Sequence, residues 1–308
     1  MKRTAMVVAM AMATTVAILS TAIGAGAQGY GAGGGGPQQT PPAAGQGAPA
    51  GQTAPAPAAP ASKRPPQAKT QPEFDAYKVA AANADAAALE TATADFATKF
   101  PDSELRTLLY KAAMRTYQNA NNSDKTEAMG HKVLNIDGDD PEALVIVAEV
   151  IAEKTRDSDL DKDQRFDEAM KMAQKAIQTV ETDVVFNQGT PQEKVDAYKA
   201  MLRSNAYSVM GTIDFKKESF ASAQESLQKS IDAYPAQPDP VVVLRLALSL
   251  DKQSKYPDAL KVANRAVEMT QESTQIGTLA RRERDRLQQL TGGAAPAPAT
   301  TPAQPPKN

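Results

Sequence analysis

The sequence predicts an all-α protein, an α-solenoid of about five antiparallel helix pairs with a C-terminal capping helix and disordered N- and C-terminal segments. The prediction rests on a motif that recurs about every 36 residues near the C-terminal end. FASAQESLQKSIDAYP, from Phe220, is followed by YPDALKVANRAVEMT, from Tyr256, and FDEAMKMAQKAIQTV, from Phe166, has the same pattern. One repeated unit cannot bury its apolar face alone, so neighbouring units must stack.

Composition divides the 308-residue chain into four parts. Residues 28–72 contain ten Pro and nine Gly, and residues 292–308 are again rich in Ala, Pro and Thr. Such segments have too little apolar surface to offset the entropy cost of ordering, so we expect both to be disordered. The predicted parts are a signal peptide (1–27), a Gly/Pro/Ala/Gln-rich linker (28–72), a helical repeat domain (73–291) and an Ala/Pro-rich tail (292–308).

The N-terminal residues predict export from the cytoplasm. Lys2 and Arg3 are followed by an uncharged, mostly apolar run over residues 5–23, and residues 25–27 (Ala-Gly-Ala) offer a cleavage site. We therefore expect a periplasmic or extracellular protein, with no stable membrane insertion once the signal is cleaved. The alternative is an uncleaved, membrane-anchored scaffold, because the apolar run approaches the length that spans a bilayer.

Prolines mark the expected helix boundaries in the repeat domain. Pro101 and Pro235 follow apolar-periodic stretches, where they end helices. Four other prolines stand at the starts of such stretches, where the missing N–H costs nothing: Pro141, Pro191, Pro240 and Pro257. Thr190 and Glu193 have the spacing of a capping box at one of these starts.

These boundaries predict the helix pairs in order. The first pair covers roughly residues 73–101, and the second begins near Thr107. The third begins at Pro141 and contains about nine extra residues before its second helix. In the fourth pair the first helix is extended, from Pro191 to about Lys217, and the fifth pair and a charged capping helix follow.

The spacing of small and large residues resembles the tetratricopeptide repeat (TPR) family. In that family, small residues let the two helices of a pair approach closely while large residues fill the space beside them. The unit that begins near Ser204 carries the resemblance best. Its matching residues are Tyr207, Met210, Gly211, Ala223, Leu227, Ser230 and Pro235.

The TPR resemblance implies a binding groove lined by the first helix of each pair. Such grooves hold extended or helical peptides of protein partners. The residues at the implied groove positions are Lys111, Arg115, Asn119, Glu149, Thr212, Lys216, Leu244 and Lys252. A protein or peptide partner is therefore expected.

The insertion in the third unit is a second candidate site. Its acidic residues have nearly the spacing of an EF-hand calcium loop, whose hard oxygen ligands suit Ca²⁺. Lys162, however, stands where that loop needs a Gly to turn. A solvated acidic loop is the competing interpretation. The speculative ligands are Asp157, Asp159, Asp161, Asp163 and Glu168.

Other classes of function find little support in the sequence. The formal net charge of −2 gives no basic surface for nucleic acid. The single histidine, His131, has no nucleophile or orienting carboxylate in a recognisable motif, and no cofactor motif occurs. We expect a non-catalytic protein- or peptide-binding scaffold of the bacterial cell envelope without a cofactor; the alternative is a calcium-responsive structural element that uses the loop 157–168.

Overall fold

The computed structural model describes residues 63–187 and 189–292. This part of the chain contains eleven α-helices and no β-strand, which confirms the predicted all-α class. The helices are α1 (Gln71–Ala81), α2 (Ala86–Lys99), α3 (Leu105–Asn119), α4 (Ser123–Ile136), α5 (Pro141–Lys154), α6 (Lys162–Thr179), α7 (Gln192–Lys216), α8 (Phe220–Ala233), α9 (Pro240–Lys252), α10 (Tyr256–Glu268) and α11 (Gln275–Leu290).

Consecutive helices form five pairs followed by one terminal helix. Each helix packs on the next along the chain, and first helices of neighbouring pairs also meet, as α1 does with α3 and α5 with α7, while α9 meets the terminal helix α11. Contacts between neighbours in sequence order are the signature of a solenoid. The predicted five helix pairs and the C-terminal capping helix are confirmed.

Three of the five pairs have the same type of turn between their two helices. Asn121, Glu218 and Ser254 each stand in the middle of a three-residue connection with a φ of 55° to 59°. In each turn the following N–H bonds the carbonyl five residues earlier, as Ser219 does to Asp214 at 2.9 Å. This left-handed ending satisfies the last carbonyls of the first helix and sends the chain back along it.

Helix starts follow the prolines, with one correction. Asp140 caps α5 by accepting a hydrogen bond from the N–H of Ala143 at 2.9 Å, and Pro141 occupies the first helical position. Pro191 instead is itself the N-cap of α7, with a ψ of 136°. The predicted capping box is wrong, because Thr190 then lies one residue too early and its hydroxyl bonds the carbonyl of Asn187 at 2.8 Å.

Small residues mark the closest approaches between helices. A Cβ added to Gly211 on α7 would lie 2.6 Å from Leu227 Cγ on α8. Gly130 on α4 is as tight, since its Cβ would lie 2.3 Å from Val147 Cγ2 on α5. The sequence predicted the close approach at Gly211. The approach at Gly130 lies in the second helix of the second pair, which matches the repeat pattern less well.

The extended first helix of the fourth pair is confirmed. Helix α7 has 25 residues and is longer than its partner α8 by eleven. Its additional turns pack on the α6–α7 connection. Val180, Val184 and Leu202 are buried there, and the partly buried Phe186 and Tyr198 pack against them. This small cluster places an apolar wall beside the first helices of the second and third pairs.

The packed part of the chain begins earlier than the predicted start of the repeat domain at residue 73. The sequence assigned residues 63–70 to the linker 28–72, but they lie against the helix pairs, and α1 begins at Gln71. The predicted signal peptide, residues 28–62 of the predicted linker and residues 293–308 of the predicted tail lie outside the described residues. None of the described helices is both long and apolar enough to cross a membrane.

Candidate partner-binding surface

A pocket of about 240 Å³ lies where α3, the start of α5 and α7 meet the α6–α7 connection. It contains two of the predicted groove residues, Lys111 and Arg115, on α3. The complete lining is Lys111, Arg115, Pro141, Glu142, Val184, Val185, Phe186, Tyr198 and Leu202. The pocket thus joins a charged side to an apolar side.

The charged side is a network of ion pairs between α3 and the start of α5. Lys111 Nζ lies 2.7 Å from Asp140 Oδ2 and 2.9 Å from Glu142 Oε2, while the Arg115 guanidinium forms a two-pronged bond with Glu142. Burial would raise the pKa of Glu142, but Lys111 and Arg115 outweigh it and hold that pKa well below its ordinary value. The two cations are therefore already compensated inside the protein.

The apolar side comes from the α6–α7 connection and α7. Phe186 meets Tyr198 edge to face, with ring centroids 5.8 Å apart. Burial is the main reason that the pKa of Tyr198 is raised, so its hydroxyl stays protonated. Val184 and Leu202 are buried behind the rings, at 8% and 3% exposure. An aromatic wall of this kind can hold an apolar side chain and offer a hydroxyl to a polar group.

A second polar network joins the first helices of the third, fourth and fifth pairs. Arg245 of α9 donates to Thr212 Oγ1 of α7 at 2.5 Å and reaches Glu153 Oε1 of α5 at 3.4 Å. Lys216 of α7 donates to the carbonyls of Ala152, Glu153 and Thr155 at the end of α5, the nearest at 2.6 Å. A lysine at this position also complements the negative end of the α5 dipole.

Glu149 lies one turn before Glu153 on the same helix and is half-buried. Burial, with the charges of Glu153 and Asp239, raises the pKa of Glu149 to about 7, and Arg245 opposes the shift. The network on the first helices of the third, fourth and fifth pairs therefore contains a carboxyl that changes its charge near neutral pH.

The predicted groove residues do not all line an open surface. Leu244 and Thr212 are buried, at 1% and 3% exposure, because α9 packs on α7, α8, α10 and α11. For these two residues the expectation of an accessible groove position is corrected. Asn119 and Lys252 lie exposed at the ends of α3 and α9. The structure thus gathers Lys111 with Arg115 in the pocket, and Glu149, Thr212 and Lys216 around the second network.

Sequence reasoning missed the aromatic and aliphatic residues of the pocket wall. Val184, Val185 and Phe186 lie in a connection between helices, where the repeat pattern assigns no groove position. The usable signal was their run of three large apolar residues next to an extended helix. Such a run in a polar connection indicates local packing.

The carboxylates of the acidic insertion do not converge on one point. Asp157 reaches Lys162 at 3.7 Å, and Asp159 accepts the N–H of Arg156 at 2.8 Å. Asp163 and Glu168 are already part of α6, which begins at Lys162. Within residues 63–187 and 189–292, no group of three or more His, Cys, Asp or Glu side chains has the arrangement of a metal site. Calcium binding by the loop stays a prediction.

Comparisons with known proteins add little to this description. No protein-family model and no curated protein sequence matches the chain. The crystal structure of TTC0263, a thermophilic TPR protein in Thermus thermophilus, aligns at 12% identity over 68% of this chain and 98% of that chain, with a TM-score of 0.43. The assembly chaperone of RpL4 (Acl4, residues 1–338) aligns at 12% identity over 71% and 97%, with a TM-score of 0.38. The fold assignment therefore rests on the helix pairs of the chain itself.

Proposed function

We propose that this solenoid is a non-catalytic scaffold that binds a protein or peptide partner, with the pocket beside Tyr198 as its anchor point. The proposal rests on one observation: an apolar wall faces a set of ion pairs across a cavity of about 240 Å³ on the first helices of the repeats. A cavity of this kind accepts one large side chain. Most binding energy in peptide recognition comes from a few such anchors.

The ion pairs define what the charged side of the pocket can do. Because Asp140 and Glu142 already compensate Lys111 and Arg115, the pocket has little excess positive charge. It suits polar backbone groups of a peptide better than a free carboxylate. An apolar anchor side chain buried against Phe186 and Tyr198 would supply about 1.5–3 kcal/mol of binding free energy.

The proposed location is the bacterial cell envelope. The support is the sequence of residues 1–27, with its two basic residues, apolar run and small-residue cleavage site. In this setting the domain would present its repeats to other exported or envelope proteins. Mass measurement of the mature chain tests this, because retention of residues 1–27 contradicts cleavage.

Filling the pocket tests the proposed anchor. Val185→Trp places a large ring in the cavity, and we expect it to lower the enrichment of binders from a displayed library of random peptides by about tenfold or more. Val79→Trp is the matched control, because Val79 lies 73% exposed on α1. Circular dichroism should show equal helix content in both variants.

Two results would contradict this proposal. The library could yield no peptide that binds the unchanged protein, which would argue against peptide binding by this surface. Equal enrichment by Val185→Trp and Val79→Trp would leave peptide binding in place but remove the pocket as its anchor.

A further inference from the structure

Residues 63–70 form an extended strap along one edge of the solenoid. The strap touches three connections, each of which joins the second helix of one pair to the first helix of the next: α2–α3, α4–α5 and α6–α7. It runs from the later units back to the first, in the direction opposite to the order of the pairs. A segment with this course links the first three units.

Lys63 fixes the strap to the later connections. Its N–H donates to the carbonyl of Thr182 at 2.8 Å, and its Nζ lies 2.5 Å from Asp137 Oδ1 and 3.4 Å from Asp183 Oδ1. Asp137 is the C-cap of α4, whereas Thr182 and Asp183 belong to the α6–α7 connection. One residue therefore joins two connections that are otherwise separate in the chain.

The residues after Lys63 fix the strap to the α2–α3 connection. Arg64 forms a two-pronged bond with Glu104, at 2.8 and 2.5 Å. Lys69 Nζ donates to the carbonyl of Asp102 at 2.9 Å, and Ala68 packs on the apolar cluster of the first pair. Paired bonds between a guanidinium and a carboxylate set direction as well as distance.

The strap is stiff where it passes from one connection to the next. Pro65 and Pro66 restrict the backbone to extended conformations. The adjacent residues Lys63 and Arg64 bond Asp137, Asp183 and Glu104, which belong to three different connections. The strap therefore holds these three connections close together at one point.

The strap also reaches the wall of the pocket. Thr182 and Asp183 directly precede Val184, Val185 and Phe186, which form the apolar side of the cavity. We propose that the strap is a conformational clamp, which holds the α6–α7 connection in place through Lys63 and so keeps the pocket wall closed. Release of Lys63 by a partner opens the wall.

Thiol accessibility of the pocket wall tests the clamp in the full chain. The protein has no cysteine, so Val184→Cys introduces a single thiol at a position that is 8% exposed. In this background we expect Lys63→Glu to increase the rate of labelling by a soluble disulfide reagent by about fivefold. Loss of one or two partly exposed ion pairs destabilises the closed state enough to raise the population of the open state by this factor. Lys261→Glu, an equal charge change at an exposed position of α10, should leave the rate unchanged.

A charge swap separates the clamp from general loss of stability. Lys63→Glu combined with Asp137→Lys and Asp183→Lys restores both ion pairs of residue 63 with reversed polarity, and labelling should return toward the starting rate. Hydrogen exchange in residues 180–187 should follow the same order among the variants. Equal labelling rates in Lys63→Glu and Lys261→Glu, or no recovery in the charge-swapped variant, would overturn the proposal. Neither readout requires the peptide partner, so this inference and the proposed function can fail separately.

Discussion

Single residues on the first helices are held in place by partners in neighbouring units. Lys111 and Arg115 illustrate this, because their counter-ions Asp140 and Glu142 lie 29 and 27 residues away, at the start of the next pair. The sequence identified the two cations as groove positions but could not show that they are compensated. Pairing across units depends on how the helices stack, which no local pattern records. Reversal of both charges would therefore bury unpaired carboxylates as well as change the groove.

Glu149 provides a pH-dependent test at the residue scale. Its pKa is raised to about 7, from 4.5, first by burial and then by Glu153 and Asp239. Between pH 4.5 and about pH 7, Glu149 keeps its proton in the native state but releases it in the unfolded chain. The contribution of Glu149 to stability is therefore full below about pH 4.5 and is lost as the pH rises to 7. We expect the free energy of unfolding to decrease by about 2–3 kcal/mol over that window.

Glu149→Gln isolates this contribution, because glutamine mimics the protonated carboxyl at every pH. Urea unfolding at pH 5 and pH 8 should show a smaller loss of stability in the variant than in the unchanged protein. The low pKa of Glu142 does not interfere, since its contribution is lost only as the pH falls below the ordinary carboxyl value. If the free energy of unfolding changed by the same amount between pH 5 and pH 8 in both proteins, the prediction would be contradicted.

At the scale of the helix pair, small residues and turns define the fold together. The pattern of alanines and Gly211 was visible in the sequence and gave the register of the last two pairs correctly. The shared turn was not visible, because its left-handed position is occupied by Asn121, Glu218 and Ser254, three different residue types. Backbone bonds to the end of the first helix fix that turn, so it tolerates varied side chains.

Gly211→Leu tests the closest approach within the fourth pair. The new side chain must displace Leu227, whose Cγ and backbone N lie 2.6 and 3.1 Å from the added Cβ. We expect a loss of roughly 1–3 kcal/mol in the free energy of unfolding, measured by urea denaturation. Gly138→Leu is the control, because an added Cβ there meets only ordinary contacts, the nearest at 3.5 Å, on an exposed turn. Equal stability of the two variants would mean that α7 and α8 do not approach in this register.

At the scale of the whole molecule, each pair depends on its neighbours. The sequence predicted the number of pairs, the long α7 and the terminal cap, since each follows from periodicity and proline placement. It did not predict the strap, because residues 63–70 carry no apolar period and their contacts are with connections far along the chain. Long-range contacts of extended segments have no counterpart in local sequence patterns.

The last helix tests how far stability spreads through the solenoid. Leu287 of α11 is fully buried, whereas Leu290 on the same helix is 50% exposed. Leu287→Ala should cost about 2–5 kcal/mol, and Leu290→Ala should be nearly neutral. In a solenoid that loss acts mainly on adjacent units, so amide exchange should accelerate in α9, α10 and α11 but not in α3 and α4. Uniform acceleration in all pairs would instead show that the described domain unfolds as one cooperative unit.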